Sequence, residues 1–362
     1  MTKRLTARCA LLFAFCWLAD SGASRVELWP GGAAVRAATV QPSFSTASSV
    51  ATDGDPIHRV QRREAIVTPS WVREKRETLG ARLVVLEVSW DAKNESREYR
   101  QGHVPGAIHF NTDNFENGSP RWYLRSPGKL QDAIGHLGIT PSSTVVVYGK
   151  QVTAAARAWW VLLYAGVADV RLLNGGYEGW IRAGYPGEKT WNQPRAVLFR
   201  AKVRPKYLAT TSYVRQHRLS SQVWLADVRS REEFKGEVSG YSYLDARGRI
   251  PGAVHAENAD DSAAIYLNRD GTLRSLEEIQ ALWRKQGLMT GQGTFEREVI
   301  FYCGSGWRSS LAFLYAWALG AERVRNYSDG WSGWSTIYRR EPGLGGSTPG
   351  WRQVCSENPV EP

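Results

Sequence analysis

The chain has 362 residues, 43% of them hydrophobic, and a formal net charge of +11. That is room for about two domains with cores of their own, and it is too apolar for wholesale disorder. The basic residues are scattered, without a dense tract or a recognisable binding motif, which argues against nucleic acid as a partner. What remains is a positive field that favours small anions.

Taken in order, residues 1–23 carry Lys3, Arg4 and Arg8, an apolar run over residues 9–18, and the small residues Ser21, Gly22 and Ala23. This is the layout of a secretory signal peptide, with an apolar run too short to span a bilayer. No later segment approaches transmembrane length, so the expectation is an exported, periplasmic protein cut near Ala23, without membrane contact after cleavage. Cleavage removes Cys9 and Cys16 and leaves Cys303 and Cys355. Two cysteines are too few for a disulfide scaffold. Residues 24–61, rich in Ala, Ser, Thr, Val and Gly, form a flexible leader.

From there the chain repeats itself. At a constant offset, Val145, Tyr148, Gly166, Val170 and Gly176 match Val299, Tyr302, Gly320, Val324 and Gly330, and Gly179-Trp180 matches Gly333-Trp334. Upstream, Pro105-Gly106-Ala107-Ile108-His109 matches Pro251-Gly252-Ala253-Val254-His255, and Leu86-Glu87-Val88 matches Ala226-Asp227-Val228. Each copy alternates strands with helices, which predicts an α/β fold of two tandem domains, each a mainly parallel sheet with helices on both faces. The copies span residues 62–190 and 206–340. A proline-containing connector joins them over residues 191–205, and a tail follows over residues 341–362 with Cys355. That thiol is either free and mobile or a disulfide cap on Cys303.

Residues 299–302 read as a buried strand and residues 311–319 as a buried helix. The strand stops at Cys303, and the helix is expected about six residues later. The loop between, Cys303-Gly304-Ser305-Gly306-Trp307-Arg308, can curl so that backbone N–H groups point inward, a cradle for anions at a helix N-terminus. A thiolate there is a nucleophile.

The loop resembles the active-site loop of rhodaneses, sulfurtransferases that carry sulfur as a cysteine persulfide. The family's Cys, four residues, then Arg is met by Cys303 and Arg308, whereas Cys-dependent phosphatases need Arg one residue later, where Ser309 stands. Asp227-Val228-Arg229, Glu233-Phe234 and residues 248–253 resemble the family's first signature. The resemblance covers both copies and implies double displacement: Cys303 takes a sulfane sulfur from a small anionic donor such as thiosulfate and passes it to cyanide or a thiol acceptor. It implies no cofactor, and no spacing of His and Cys suggests a metal. The histidines His103, His109 and His255 are expected in structural roles. The amides of Gly304, Ser305, Gly306, Trp307 and Arg308 would hold the persulfide, with Arg308 on the donor's oxyanion or bracing the loop through Asp227. Trp307 is expected to pack against the first copy.

Departures from the family bear on the donor. Glu233 stands where two-domain members have a pocket arginine, Arg249 replaces the usual histidine before Ile-Pro-Gly-Ala, and the inserted residues 237–247, with Gly240-Tyr241-Ser242-Tyr243, lengthen the loop nearby. Arg229, Arg231 or Arg249 is expected to replace the missing cation. The start Cys-Gly-Ser-Gly leaves 3-mercaptopyruvate as an alternative donor, and a low-turnover persulfide carrier is the alternative to an enzyme. In the first copy Gly149 replaces the cysteine, so that copy is expected to be catalytically silent. In tandem members the cysteine-free domain helps wall the cleft; Lys150, Arg157 or Arg121 either projects into it or, as is expected here, is a solvated surface charge.

Overall fold

A computed structural model of the chain describes residues 62–91, 96–118, 122–256, 263–340 and 351–353. The signal peptide, the leader, Arg121 and Cys355 lie outside the described residues. The first copy runs β1 (Ile66–Val67), α1 (Pro69–Leu79), β2 (Leu83–Ser89), α2 (Arg97–Gln101), β3 (Ile108–Asn111), α3 (Pro127–His136), β4 (Thr144–Tyr148), α4 (Val152–Ala165), β5 (Asp169–Leu173) and α5 (Gly176–Arg182). The second repeats it with β6 (Leu208–Ala209), α6 (Thr211–His217), β7 (Val223–Asp227), α7 (Arg231–Lys235), β8 (Val254–His255), α8 (Leu276–Lys285), β9 (Glu298–Tyr302), α9 (Trp307–Ala318), β10 (Val324–Tyr327) and α10 (Gly330–Ile337).

Both sheets are parallel and share one order, β1-β5-β4-β2-β3 and β6-β10-β9-β7-β8. The duplication reaches single hydrogen bonds. Thr68 and Thr210 cap their helices by accepting the N–H of Trp71 and Tyr213, both at 3.2 Å. Tyr148 and Tyr302 each accept an N–H, from Val104 and Ile250.

The central strands are buried throughout, as a parallel sheet covered on both faces requires. Along β9, Val299 and Phe301 join one core with α9, while Ile300 and Tyr302 join another with Trp331 and Trp334 of α10. Because side chains alternate across a strand, that split puts helices on opposite faces. The larger core is common to both copies: α4 is buried beyond its first residue, and its Trp159 packs at 5.4 Å on Trp317 of α9. Apart from Thr153 and Arg157 the buried residues of α4 are alanine, valine, leucine and aromatics, as a helix enclosed on every side requires.

The connector has no regular structure but is pinned down. Phe199 is fully buried, Val197 N–H reaches Gly135 at 2.9 Å, and Gln131 donates to the Ala201 carbonyl at 2.6 Å. Residues 338–340 and 351–353 form a small antiparallel pair, β11 with β12.

Candidate active site

Cys303 follows β9 directly. Its carbonyl accepts the Trp331 N–H at 2.7 Å, and the Gly304 carbonyl accepts the Ser332 N–H at 3.0 Å, so the first turn of α10 clamps the loop. This clamp needs a glycine at position 330: its φ is +55°, and a Cβ there would stand 2.4 Å from the Cys303 oxygen and 2.6 Å from that of Gly304. Gly306 turns the chain through φ +88°, and α9 starts at once at Trp307, four residues before the apolar run at residues 311–319. Asn326 of β10 holds the turn, donating to the Gly306 carbonyl at 3.2 Å and to Ser310 Oγ at 2.9 Å. Ser309 Oγ lies 3.6 Å from Cys303 Sγ and 2.7 Å from Asn326 Oδ1; the single hydroxyl proton favours the shorter bond to the amide.

Arg308 is bound, and not to Asp227. Its two terminal nitrogens meet the two carboxylate oxygens of Glu233 at 2.8 Å each, a fork-to-fork pair in which Arg308 is 6% and Glu233 2% exposed. Glu233 also accepts the Ser230 N–H at 2.9 Å, completing the capping box of α7. The Glu233 that departs from the family's pocket arginine is therefore the mate of the loop arginine. Asp227 is occupied by Arg229, at 2.6 Å, and by the Tyr302 hydroxyl, also at 2.6 Å.

Of the cations expected as replacements, Arg229 and Arg249 are both held by other groups. Arg229 is fully buried between Asp227, the Gly248 carbonyl and the Trp331 ring, bracing the backbone through Nε and Nη2, while its Nη1 has no hydrogen-bond partner among the described residues. Arg249 is exposed and lies over the Phe234 ring at 4.6 Å, donating to the Phe234 carbonyl. Among the histidines, His103 stacks on Tyr99, His109 bonds Glu87 at 2.9 Å and His255 bonds the Arg229 carbonyl.

The inserted residues 237–247 cover the thiol. The Tyr241 ring lies across Gly304, where a Cβ would fall 2.0 Å from the ring's Cζ, and its hydroxyl is bonded by Arg308. Cys303 is left 2% exposed. Withdrawal of its hydroxyl from water raises the Tyr241 phenol, and the same cause pushes Tyr243 up to about 12 against an opposing hydrogen bond with Ser305. An aromatic chain continues outward: Tyr241 meets Tyr243 at 5.3 Å, Tyr243 meets Trp122 at 4.5 Å, Trp122 meets Trp90 at 6.3 Å, and Trp90 meets Trp307 at 5.0 Å. Trp90 and Trp122 come from the first copy. Sequence reading had Trp307 and, in the inserted loop near the pocket, Tyr241 and Tyr243; it missed Trp90 and Trp122, which the repeat comparison could not find because they sit outside the matching motifs.

Trp307 does pack against the first copy, donating from Nε1 to Glu116 Oε1 at 3.0 Å. Arg157, read as a solvated charge, is 1% exposed and bonds the same oxygen at 2.9 Å. It had to be buried because α4 is enclosed by α9. In the first copy's own loop, a Cβ at Gly149 would fall 2.2 Å from the Val88 oxygen, so a cysteine has no room there. Among the described residues no cluster of three or more His, Cys, Asp or Glu could hold a metal ion, and no helix is long and apolar enough to cross a membrane.

A duplicated parallel α/β unit with one cysteine cupped at the end of its central strand is the architecture of the rhodanese-like domain. That family matches the chain twice, over residues 68–183 and 210–337, and the chain belongs to it. Relatives include the thiosulfate sulfurtransferase YnjE of Escherichia coli, 33% identical over 308 residues that cover 81% of this chain and 68% of the relative. The sulfur carrier protein TtuD of Thermus thermophilus is 33% identical over 289 residues, 76% of this chain and 94% of the relative. Among solved structures, an anaerobic ergothioneine biosynthesis enzyme from Chlorobium limicola, in complex with its natural substrate trimethyl histidine, superposes with a TM-score of 0.69 at 33% identity, covering 75% of this chain and 68% of that one.

Proposed function

We propose that the chain is a thiosulfate sulfurtransferase working through a persulfide on Cys303. The observation that carries this reading is the single cysteine in the Cys-Gly-Ser-Gly-Trp-Arg loop at the start of a buried helix, in a family whose relatives move sulfur. The Cys303 thiolate attacks the outer sulfur of thiosulfate. The donor's S–S bond breaks, and its electron pair leaves with sulfite. Cyanide or a thiolate then attacks the terminal sulfur, the bond to Sγ breaks, and thiocyanate or a new persulfide departs with the thiolate restored. With Arg308 committed to Glu233, the loop amides and the N-terminus of α9 carry the anion. Tyr241 must swing aside for either partner to enter.

Incubation with thiosulfate followed by intact-mass measurement should show one added sulfur atom, lost again on adding cyanide. Cys303→Ser should show none while melting as the wild type does; sulfur retained on that variant sinks the mechanism. Export of the protein, with removal of residues 1–23, belongs to the same reading and is checked by N-terminal sequencing of the mature chain.

A second reading concerns the acceptor. The aromatic chain from Tyr241 to Trp307 suits a flat or cationic organic molecule better than free cyanide, and the Chlorobium enzyme binds trimethyl histidine. Sulfur delivered to such a betaine faster than to cyanide would favour it.

A further inference from the structure

The two copies are related closely enough to compare what each presents to the other's loop. The offset that takes Gly149 to Cys303 also takes Arg157 of α4 to Leu311 of α9. Glu116 has its own counterpart. It bridges Leu124 as Leu267 bridges Leu273, and the preceding carbonyls, Phe115 and Tyr266, accept the N–H of Arg125 and Arg274, both at 3.0 Å. Leu267 lines the cavity beside the cysteine-free loop at Gly149 and Lys150. The place of Glu116 is thus taken by Leu267 beside the loop without a thiol, and the sequence position of Arg157 by Leu311, whereas the loop that has a thiol meets a buried ion pair.

The pair is oriented. Arg157 Nε donates to Glu116 Oε1 at 2.9 Å, and Nη2 crosses to Ser328 Oγ of the second copy at 2.8 Å. Nη1 is buried, has no hydrogen-bond partner among the described residues, and stands 2.7 Å from where a Cβ on Gly306 would be. Glu116 Oε1 also takes the Trp307 indole, while Asp329 lies within electrostatic reach of Arg157. The positive end of the pair therefore faces the Gly306 turn, and the negative end holds the first residue of α9. Packing alone does not ask for this, since Leu267 and Leu311 serve at the mirror position. A buried pair is a poor way to gain stability over apolar residues of similar size.

We propose that the cysteine-free copy takes part in the reaction by supplying Arg157 as a positioning residue, which fixes the Gly306–Trp307 turn and turns a positive end toward the anion bound by the Cys303 loop. The inference rests on the persulfide chemistry proposed above. It makes a charge-dependent claim that a bracing role does not: a dianionic donor depends on Arg157 more than a monoanionic one.

The test uses the full chain, with thiosulfate and methanethiosulfonate as donors. Both deliver a sulfane sulfur to the Cys303 thiolate, and they release sulfite and methanesulfinate respectively. Single-turnover sulfur loading is read by intact mass. Glu116→Leu with Arg157→Leu reproduces the pair found at the mirror position and should fold. Its loading from thiosulfate should fall tenfold or more and that from methanethiosulfonate distinctly less, while Arg157→Lys recovers most of the thiosulfate loss. An equal loss on the two donors, or none, overturns the inference. If the double-leucine variant does not fold, Arg157→Gln against Arg157→Lys makes the same comparison, and equal donor ratios overturn it. Wild-type protein that loads sulfur from neither donor overturns the proposed function and this inference together; loading by wild type with equal losses in the variants overturns this inference alone.

Discussion

Replacing Glu233 with glutamine removes a negative charge from the floor of the site and keeps its shape. Glutamine still offers an oxygen to the Ser230 N–H, now bonded at 2.9 Å, so the start of α7 holds. Its amide nitrogen cannot accept from Arg308, and one arm of the 2.8 Å fork is lost. Removing one partner of a buried pair costs about 3–5 kcal/mol; the arm that survives puts this change near about 3 kcal/mol. At about 2 °C per kcal/mol or slightly less for a chain longer than about 250 residues, the melting temperature should fall by about 5 °C. The guanidinium it frees is a gain for a dianion. Unit charges about 4 Å apart interact by about 4 kcal/mol at an effective dielectric of about 20. If a third of that survives the move of Arg308, the KM for thiosulfate drops about tenfold, since about 1.4 kcal/mol is one decade. Thiosulfate titrations at fixed cyanide, read as thiocyanate beside a melting curve, measure both numbers. A folded Glu233→Gln protein with an unchanged or higher KM refutes the claim that Glu233 neutralises the loop arginine.

Three further outcomes follow from the geometry. Gly330→Ala puts a methyl group against the Cys303 and Gly304 carbonyls at a φ of +55°; it should cost about 1–3 kcal/mol and slow sulfur loading, and wild-type values on both counts would show that the clamp from α10 does not matter. Tyr241→Ala uncovers a thiol now 2% exposed, so iodoacetamide should modify Cys303 at least several-fold faster; an unchanged rate would mean that the inserted segment does not limit access. Burial holds the Glu116 and Asp329 carboxyls above their ordinary values of 4.5 and 3.8. The folded state keeps these protons longer than the unfolded chain, so stability falls as pH rises from the ordinary values through the raised ones. Glu116→Gln should make the fall above about pH 4.5 shallower in urea midpoints taken across pH, and identical slopes would show that Glu116 is not the source.

Much of the architecture is legible in local pattern. The repeat, the strand before Cys303, the glycines of its loop and the apolar run of α9 are each encoded within a few residues, because side-chain period and turn chemistry are local properties. Hence the position of the thiol, and the lack of one at Gly149, could be read directly. The choice of partner for each buried charge could not. Arg308 and Glu233 are 75 residues apart, and Arg157 and Ser328 are 171 apart. Arg249 looked like a pocket cation and lies on Phe234, while Arg157 looked like a surface charge and is enclosed between α4 and α9.

What the sequence determined by itself is a duplicated parallel α/β chain with one cysteine at the end of a central strand, since hydrophobic period and glycine placement leave few other arrangements. Only the tertiary structure decided how the site is charged and covered: Glu233 on Arg308, Tyr241 over Gly304, and Arg157 arriving from the other copy. A buried charge takes whichever opposite group the packed backbones bring within about 3 Å, and that depends on contacts between segments far apart in the chain.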